Sequence, residues 1–297
     1  MRVGLFLNDP KGADPIAELR ESIARAAGDG FASAWLSNIF GLDAITTLAV
    51  AGGQVPGIEL GTAVVPTYPR HPAALAQQAL TANLALGGRL ALGIGLSHQV
   101  VIEHMFGYSF ERPARHMKEY LDILLPLARG EKAKVKGETL RADIRLNIPG
   151  AGMPVLIAAL APRMLDLAGS MADGTVLWMT GPRTVEEHVV PAITRAAERA
   201  GRPAPRVVCA LPVCVTDDPE GARARAAEVF SAYGRLPSYR AMLDKEGAAD
   251  PGDVAIVGDE AAVRAQIEAL DGIGVTDFVA AEFSSWERTR NLLKTLL

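Results

Sequence analysis

Apolar and polar positions follow two alternating registers along the 297 residues. Short, nearly continuous apolar runs are separated by longer stretches with apolar residues at helical spacing, the pattern of buried strands alternating with amphipathic helices. Eight apolar runs stand out, at residues 2–7, 32–36, 59–65, 89–93, 153–159, 174–179, 206–215 and 276–281. The first is broken at 8–12. Within the seventh, Pro212 argues for a bulge or an early end, because proline cannot donate to a sheet ladder.

Helix signals lie between the runs. Asp14 before Pro15 is an N-cap and first-turn pair, and Gly28 and Gly30 end that helix after about Ala27. Further helices are predicted over 42–51, 72–86, 162–171, 260–270 and 286–297. The segment 111–125 contains an amphipathic helix with Met117, Leu121, Leu124 and Leu125 on one stripe. Thr184 and Glu187 have capping-box spacing and open a helix through about Ala200. Residues 130–147 are polar and read as a hairpin-like excursion, while 217–252 are helical and rich in Ala and Arg. Strands that are apolar throughout are buried on both faces, as parallel strands are. Eight of them, mostly alternating with helices, predict a (β/α)8 TIM barrel over residues 1–297 as one domain, with insertions after strands four and seven.

Composition narrows the function classes. With 49% hydrophobic and 22% charged residues the chain has the makings of a large core. A net charge of −4 and a pI near 5.8 give no support for nucleic-acid or membrane partners. Without an N-terminal apolar leader or a long apolar span, a cytoplasmic location is expected. Cys209 and Cys214 share one strand at an odd separation, so they face opposite sides and read as core residues.

Chemistry in a barrel collects where the strands end. Gly93-Ile-Gly-Leu-Ser-His98 follows a strand, but His98 replaces the third glycine of a dinucleotide fingerprint. Its glycines, Gly95 among them, still permit a flat ligand to approach the backbone. His98, just past the strand, is the best polar candidate, although a histidine bonded within a loop accounts for the same position. The other histidines show no metal-ligand spacing, no predicted strand carries a lysine, and neither a nucleophile elbow nor a phosphate-binding P-loop is present. An enzyme built this way takes its reactivity from an organic cofactor. The turn Ala158, Ala159, Leu160, Ala161, Pro162, Arg163 opens a helix and can offer N–H groups to a phosphate; an ordinary barrel loop with a solvated arginine fits it too. Asn38, Trp178, Met179, Glu282 and Phe283 also follow strands, and Trp178 suits a core equally well.

Several of these stretches together resemble the bacterial-luciferase-like superfamily of flavin- and deazaflavin-dependent oxidoreductases. They are 31–38, 59–64, the Pro72–Gln77 helix start, 88–95, 115–119, 127–131 with Gly137 and Glu138, and 172–174, in the family's order. The stretches 95–99 and 106–120 are most similar to the branch that uses coenzyme F420. The resemblance implies a tricyclic ring at the C-terminal mouth, backed by a non-prolyl cis peptide at the end of strand three, here Ala63 and Val64. It implies that residues 158–163 hold the phosphate tail, with Gly95, Ser97, His98, Trp178 and Met179 also around the cofactor. His98 and Asn38 would act on a small organic substrate, in a homodimer whose reduced cofactor another enzyme supplies. Relatives place an acidic residue and a histidine where this chain has Asn38 and Ile39, so a sugar-phosphate dehydrogenase activity is not implied. Alternatives within the same scaffold are an FMN-dependent monooxygenase served by a flavin reductase, and a barrel that binds flavin without turnover.

Overall fold

The computed structural model describes residues 1–8, 10–149 and 152–297; of the predicted break at 8–12, Asp9 lies outside the described residues. Eight strands close a parallel barrel: β1 (Arg2–Phe6), β2 (Ser33–Leu36), β3 (Glu59–Thr62), β4 (Leu90–Gly95), β5 (Val155–Ile157), β6 (Gly174–Trp178), β7 (Arg206–Val215) and β8 (Asp277–Glu282). Each pairs in parallel with the next, and β8 returns to β1. Helices pack around it, so the predicted (β/α)8 TIM barrel is the observed fold. The excursion after β4 contains an antiparallel hairpin of Ala133–Lys136 and Arg141–Ile144, and the insertion after β7 carries helices Pro219–Val229, Ser231–Gly234 and Pro237–Glu246. No helix among the described residues is long and apolar enough to cross a membrane.

Inward positions alternate along each strand and stack in layers. At the base, Arg206 bonds the carboxylates of Glu59 (2.9 Å) and Asp277 (2.7 Å), and Arg2 reaches both. Above them Trp35, Ala91, Leu156, Val176, Val208 and Val279 fill the lumen. Trp35 donates to Ser33 Oγ at 2.9 Å and lies where a Cβ on Gly61 would be, 2.2 Å away. Cys209 and Cys214 are buried in separate apolar clusters, as their spacing predicts.

The wall between β3 and β4 has a discontinuity. Gly61 pairs with Ala91 and Val65 with Ile94, so four steps along one chain face three along the other. This is a bulge with one extra residue. The Ala63–Val64 peptide within it is cis. Opposite the gap, the fully buried Thr62 hydroxyl donates to the Gly93 carbonyl (2.8 Å) and accepts from the Gly93 N–H (2.9 Å). One side chain thus replaces both ladder bonds, which a hydroxyl can do because it is donor and acceptor at once.

Four local expectations change. The run 59–65 is two strand pieces rather than one, and β4 continues two residues past Gly93, because Gly93 and Gly95 pair within the sheet instead of ending it. Pro212 causes neither bulge nor early end: the ladder to β6 stops at Ala210 and the short strand Ile256–Gly258 joins at Val213, so the missing N–H falls at the changeover. Thr184 is not a reciprocal cap. Its helix begins at Pro182, and the free N–H groups of Arg183 (3.1 Å) and Thr184 (2.7 Å) go to the Glu246 carboxylate from the insertion.

The hairpin is tied to helix Pro113–Ala128 by Glu119, whose carboxylate accepts from the N–H groups of Glu138, Thr139 and Leu140 and from the Thr139 hydroxyl. Burial alone would raise this carboxyl; the bonds outweigh it and hold it at about 2.

Thr62→Val keeps the shape and orphans two buried groups of Gly93, at roughly 1–3 kcal/mol each. Urea unfolding should show a loss of about 2–4 kcal/mol, mostly restored in Thr62→Ser; a valine variant as stable as the parent would contradict this role. The Glu119 attachment, with a depressed carboxyl, is complete above pH 4.5 and lost as pH falls through about 2. Hydrogen-exchange protection at Thr139 and Leu140 should therefore fall with pH in the parent and be low and flat in Glu119→Gln.

Candidate active site at the barrel mouth

A cavity of about 1430 Å³ opens at the C-terminal ends of the strands. One wall consists of small residues. Ala63, Val64, Gly95 and Ala158 line it, and the bulge sets Val64 across the β4 glycines. A Cβ on Gly95 would lie 2.6 Å from Val64 Cγ2 and 3.2 Å from Ala158 Cβ; one on Gly93 would lie 2.0 Å from the Thr62 carbonyl oxygen. These glycines make room for the bulge, which accounts for the incomplete fingerprint. The chain beyond the bulge is held from behind: Thr67 N–H bonds the Gly95 carbonyl (2.9 Å), and His116 Nε2 lies 3.1 Å from Thr67 Oγ1. His116 is buried, which lowers its pKa to about 4 despite nearby Glu119, and its ring stacks on Tyr68 at 3.9 Å.

Past Gly95, Ser97 adopts a left-handed conformation (φ 61°), and both Ser97 and His98 face the cavity. His98 is half-buried, which lowers its pKa below 6.5, so the imidazole is neutral at pH 7. Neither ring nitrogen has a hydrogen-bond partner among the described residues; its ring tilts against Tyr239 at 5.6 Å. Such a group can donate one N–H or accept one proton. Asn38, past the end of β2, lines the same cavity, its Oδ1 accepting from the Ala44 N–H (2.9 Å).

Helix Pro162–Ser170 points its N-terminus at the cavity, with no side chain capping it. Leu160, Ala161, Pro162 and the exposed Arg163 line the opening, and His188 Nε2 fixes the Leu160 carbonyl at 2.8 Å. Arg112 and Arg115, from the neighbouring segment after β4, also line it and share Glu138. Free N–H groups and cations together favour an anion here.

Trp178 lines the cavity floor against Phe6, 5.4 Å away. Of the expected site residues, Ala159 and Met179 do not line it. Both are fully buried in the core between barrel and helices, one position out of the inward alternation. Glu282 and Phe283 do face it, Glu282 bonded to Arg290 at 3.0 Å. Sequence reasoning missed Thr62, His188 and the aromatic side chains of the insertion, Phe230, Tyr233 and Tyr239. The last three fall in a segment whose Ala/Arg composition masked them.

Comparison with known proteins agrees with this geometry. Residues 1–277 match the family described as luciferase-like monooxygenase. A 5,10-methylenetetrahydromethanopterin reductase of Methanolobus tindarius is 30% identical, covering 92% of this chain and 83% of that protein. A putative coenzyme F420-dependent oxidoreductase of Mycobacterium tuberculosis is 28% identical, with 98% of each chain covered. Among solved structures, an F420-dependent secondary alcohol dehydrogenase in complex with an F420–acetone adduct shares the fold at a TM-score of 0.82, with 18% identity over 100% of this chain and 98% of that one. The cis bulge, the small-residue wall and the barrel around them are thus those of a chain that belongs to the luciferase-like monooxygenase family.

Proposed function

We propose that this protein is an F420-dependent oxidoreductase that acts on a small organic substrate. The observation that carries the reading is the wall of Ala63, Val64, Gly95 and Ala158 set beside the uncapped turn 158–163. A flat tricycle needs a face with no projecting side chains, and its phosphorylated tail needs N–H groups and a cation within reach. Both are supplied by neighbouring strand ends. That a relative matched over 98% of each chain is named a putative coenzyme F420-dependent oxidoreductase supports the deazaflavin over FMN.

When bound, the deazaflavin accepts or donates a hydride at its ring carbon; the protein's task is to position and exclude. Val64 backs the ring, while Leu160, Ala161 and Arg163 hold the phosphate. The apolar walls keep water away from the reacting face. His98 either donates its N–H to a carbonyl oxygen or takes the proton of an alcohol, roles open to a neutral imidazole. Asn38, anchored through its Oδ1, presents its amide N–H groups to the same compartment.

Titration of the purified protein with oxidised F420 and with FMN tests this directly. F420 should bind at least tenfold more tightly, and clear preference for FMN would overturn the reading. Substituting His98→Ala should lower kcat on the order of 100-fold, within the range of a lost acid–base group, and change F420 affinity far less. In the parent, alcohol oxidation should rise with pH through a pKa below 6.5 and then level, since it requires the neutral ring. The alanine variant should lack that step.

A further inference from the structure

Sixteen aromatic residues occur in this aromatic-poor chain, three Trp, five Tyr and eight Phe, and ten of them line the one cavity at the mouth. Six form a continuous chain of ring contacts. Phe6 lies 5.4 Å from Trp178; Trp178 meets Phe230 (5.6 Å) and Tyr233 (5.8 Å) edge-on; Phe230 meets Phe283 (6.1 Å); Tyr233 meets Tyr239 (5.2 Å). Their positions follow the barrel order. Phe6, Trp178 and Phe283 come from the ends of β1, β6 and β8, and the other three from the insertion after β7. These six rings therefore occupy the half of the mouth opposite β3 and β4, where the small-residue wall stands, while Phe40, Phe106 and Phe110 line the cavity from the segments after β2 and β4.

Charges at the mouth are mostly paired. On the side of β4 and β5, Arg112 and Arg115 share Glu138 and Arg163 is exposed. On the aromatic side Glu282 is neutralised by Arg290 and Arg225 by Glu228 (2.7 Å), and Lys11 stands exposed at the rim. Among the described residues, a charged substrate seated among these rings would find no unpaired counter-ion except Lys11 at the rim, and burying an uncompensated charge is costly. A flat apolar one would gain stacking and edge contacts, which aromatic walls supply with little loss of side-chain freedom. His98 touches Tyr239 at the seam between the halves, and neither of its ring nitrogens has a hydrogen-bond partner among the described residues.

We infer that the aromatic half is the substrate compartment and that it takes an uncharged, conjugated aryl carbonyl compound, its oxygen at His98 and its ring among Trp178, Phe230 and Tyr233. This rests on the proposed cofactor reading for the division of the cavity. The probes are 4-phenylbut-3-en-2-one and its para-carboxylate, titrated calorimetrically into the protein saturated with oxidised F420, which permits binding without reduction, and into the protein alone. The neutral ketone should bind at least tenfold more tightly than the carboxylate. Phe230→Leu and Tyr233→Leu, which keep apolar bulk in the insertion, should each weaken it at least fivefold. Equal or tighter binding of the carboxylate, unchanged affinity in both variants, or no binding of the ketone to either form would overturn the inference. Failure of F420 to bind would instead overturn the cofactor reading, and the ketone-to-carboxylate ratio on the protein alone would still decide the compartment.

Discussion

The open wall at the barrel mouth depends on one hydroxyl. At Thr62 the ladder between β3 and β4 loses register by a residue, and an interrupted ladder in a closed sheet leaves buried backbone groups without partners. Thr62 bonds both polar groups of Gly93 and so allows the extra residue to be accommodated inside the sheet rather than at its edge. The consequence is local and functional: Val64 is carried across Gly93 and Gly95, and a smooth wall forms at the mouth. A strand pair in perfect register would close the barrel equally well and leave no such face.

Polarity along the barrel axis follows from the inward alternation. Arg206, Glu59 and Asp277 plug the base, where charges can remain partly hydrated, while Trp35 and its aliphatic neighbours fill the middle. Only the top layer, built from residues with small or flat side chains, is left open. The helices then bring one anion-binding turn and the insertion one aromatic wall. Binding and substrate selection are thereby assigned to loops, while the rigid sheet sets the distances between them.

Much of this was legible in the chain. Fully apolar strands alternating with capped helices specify a parallel barrel because each signal is local: Asp14 caps its own helix and Gly30 ends it in a left-handed turn, as their spacing indicates. His98 stood out by its place just past a strand end, whereas the cis bulge at Ala63 and Val64 came from resemblance, since neither of those two residues announces its role. What could not be read depends on partners distant in sequence. The cap of the helix at Pro182 is Glu246, which no capping box reveals. Pro212 is tolerated because two neighbouring ladders end and begin beside it. Gly93 and Gly95 resemble a turn until Val64 and Thr62 are seen against them. The aromatic wall is invisible because its members are scattered over four segments and meet only at the mouth.

The small-residue wall and the uncapped turn beside it mark where a deazaflavin would lie. A crystal structure of the protein soaked with oxidised F420 measures that position. The ring should lie against Val64 and Gly95, with the phosphate at the N-terminus of helix Pro162–Ser170 and the aromatic half open above it. A ring stacked instead among Trp178, Phe230 and Tyr233, or a phosphate held away from residues 158–163, would contradict it.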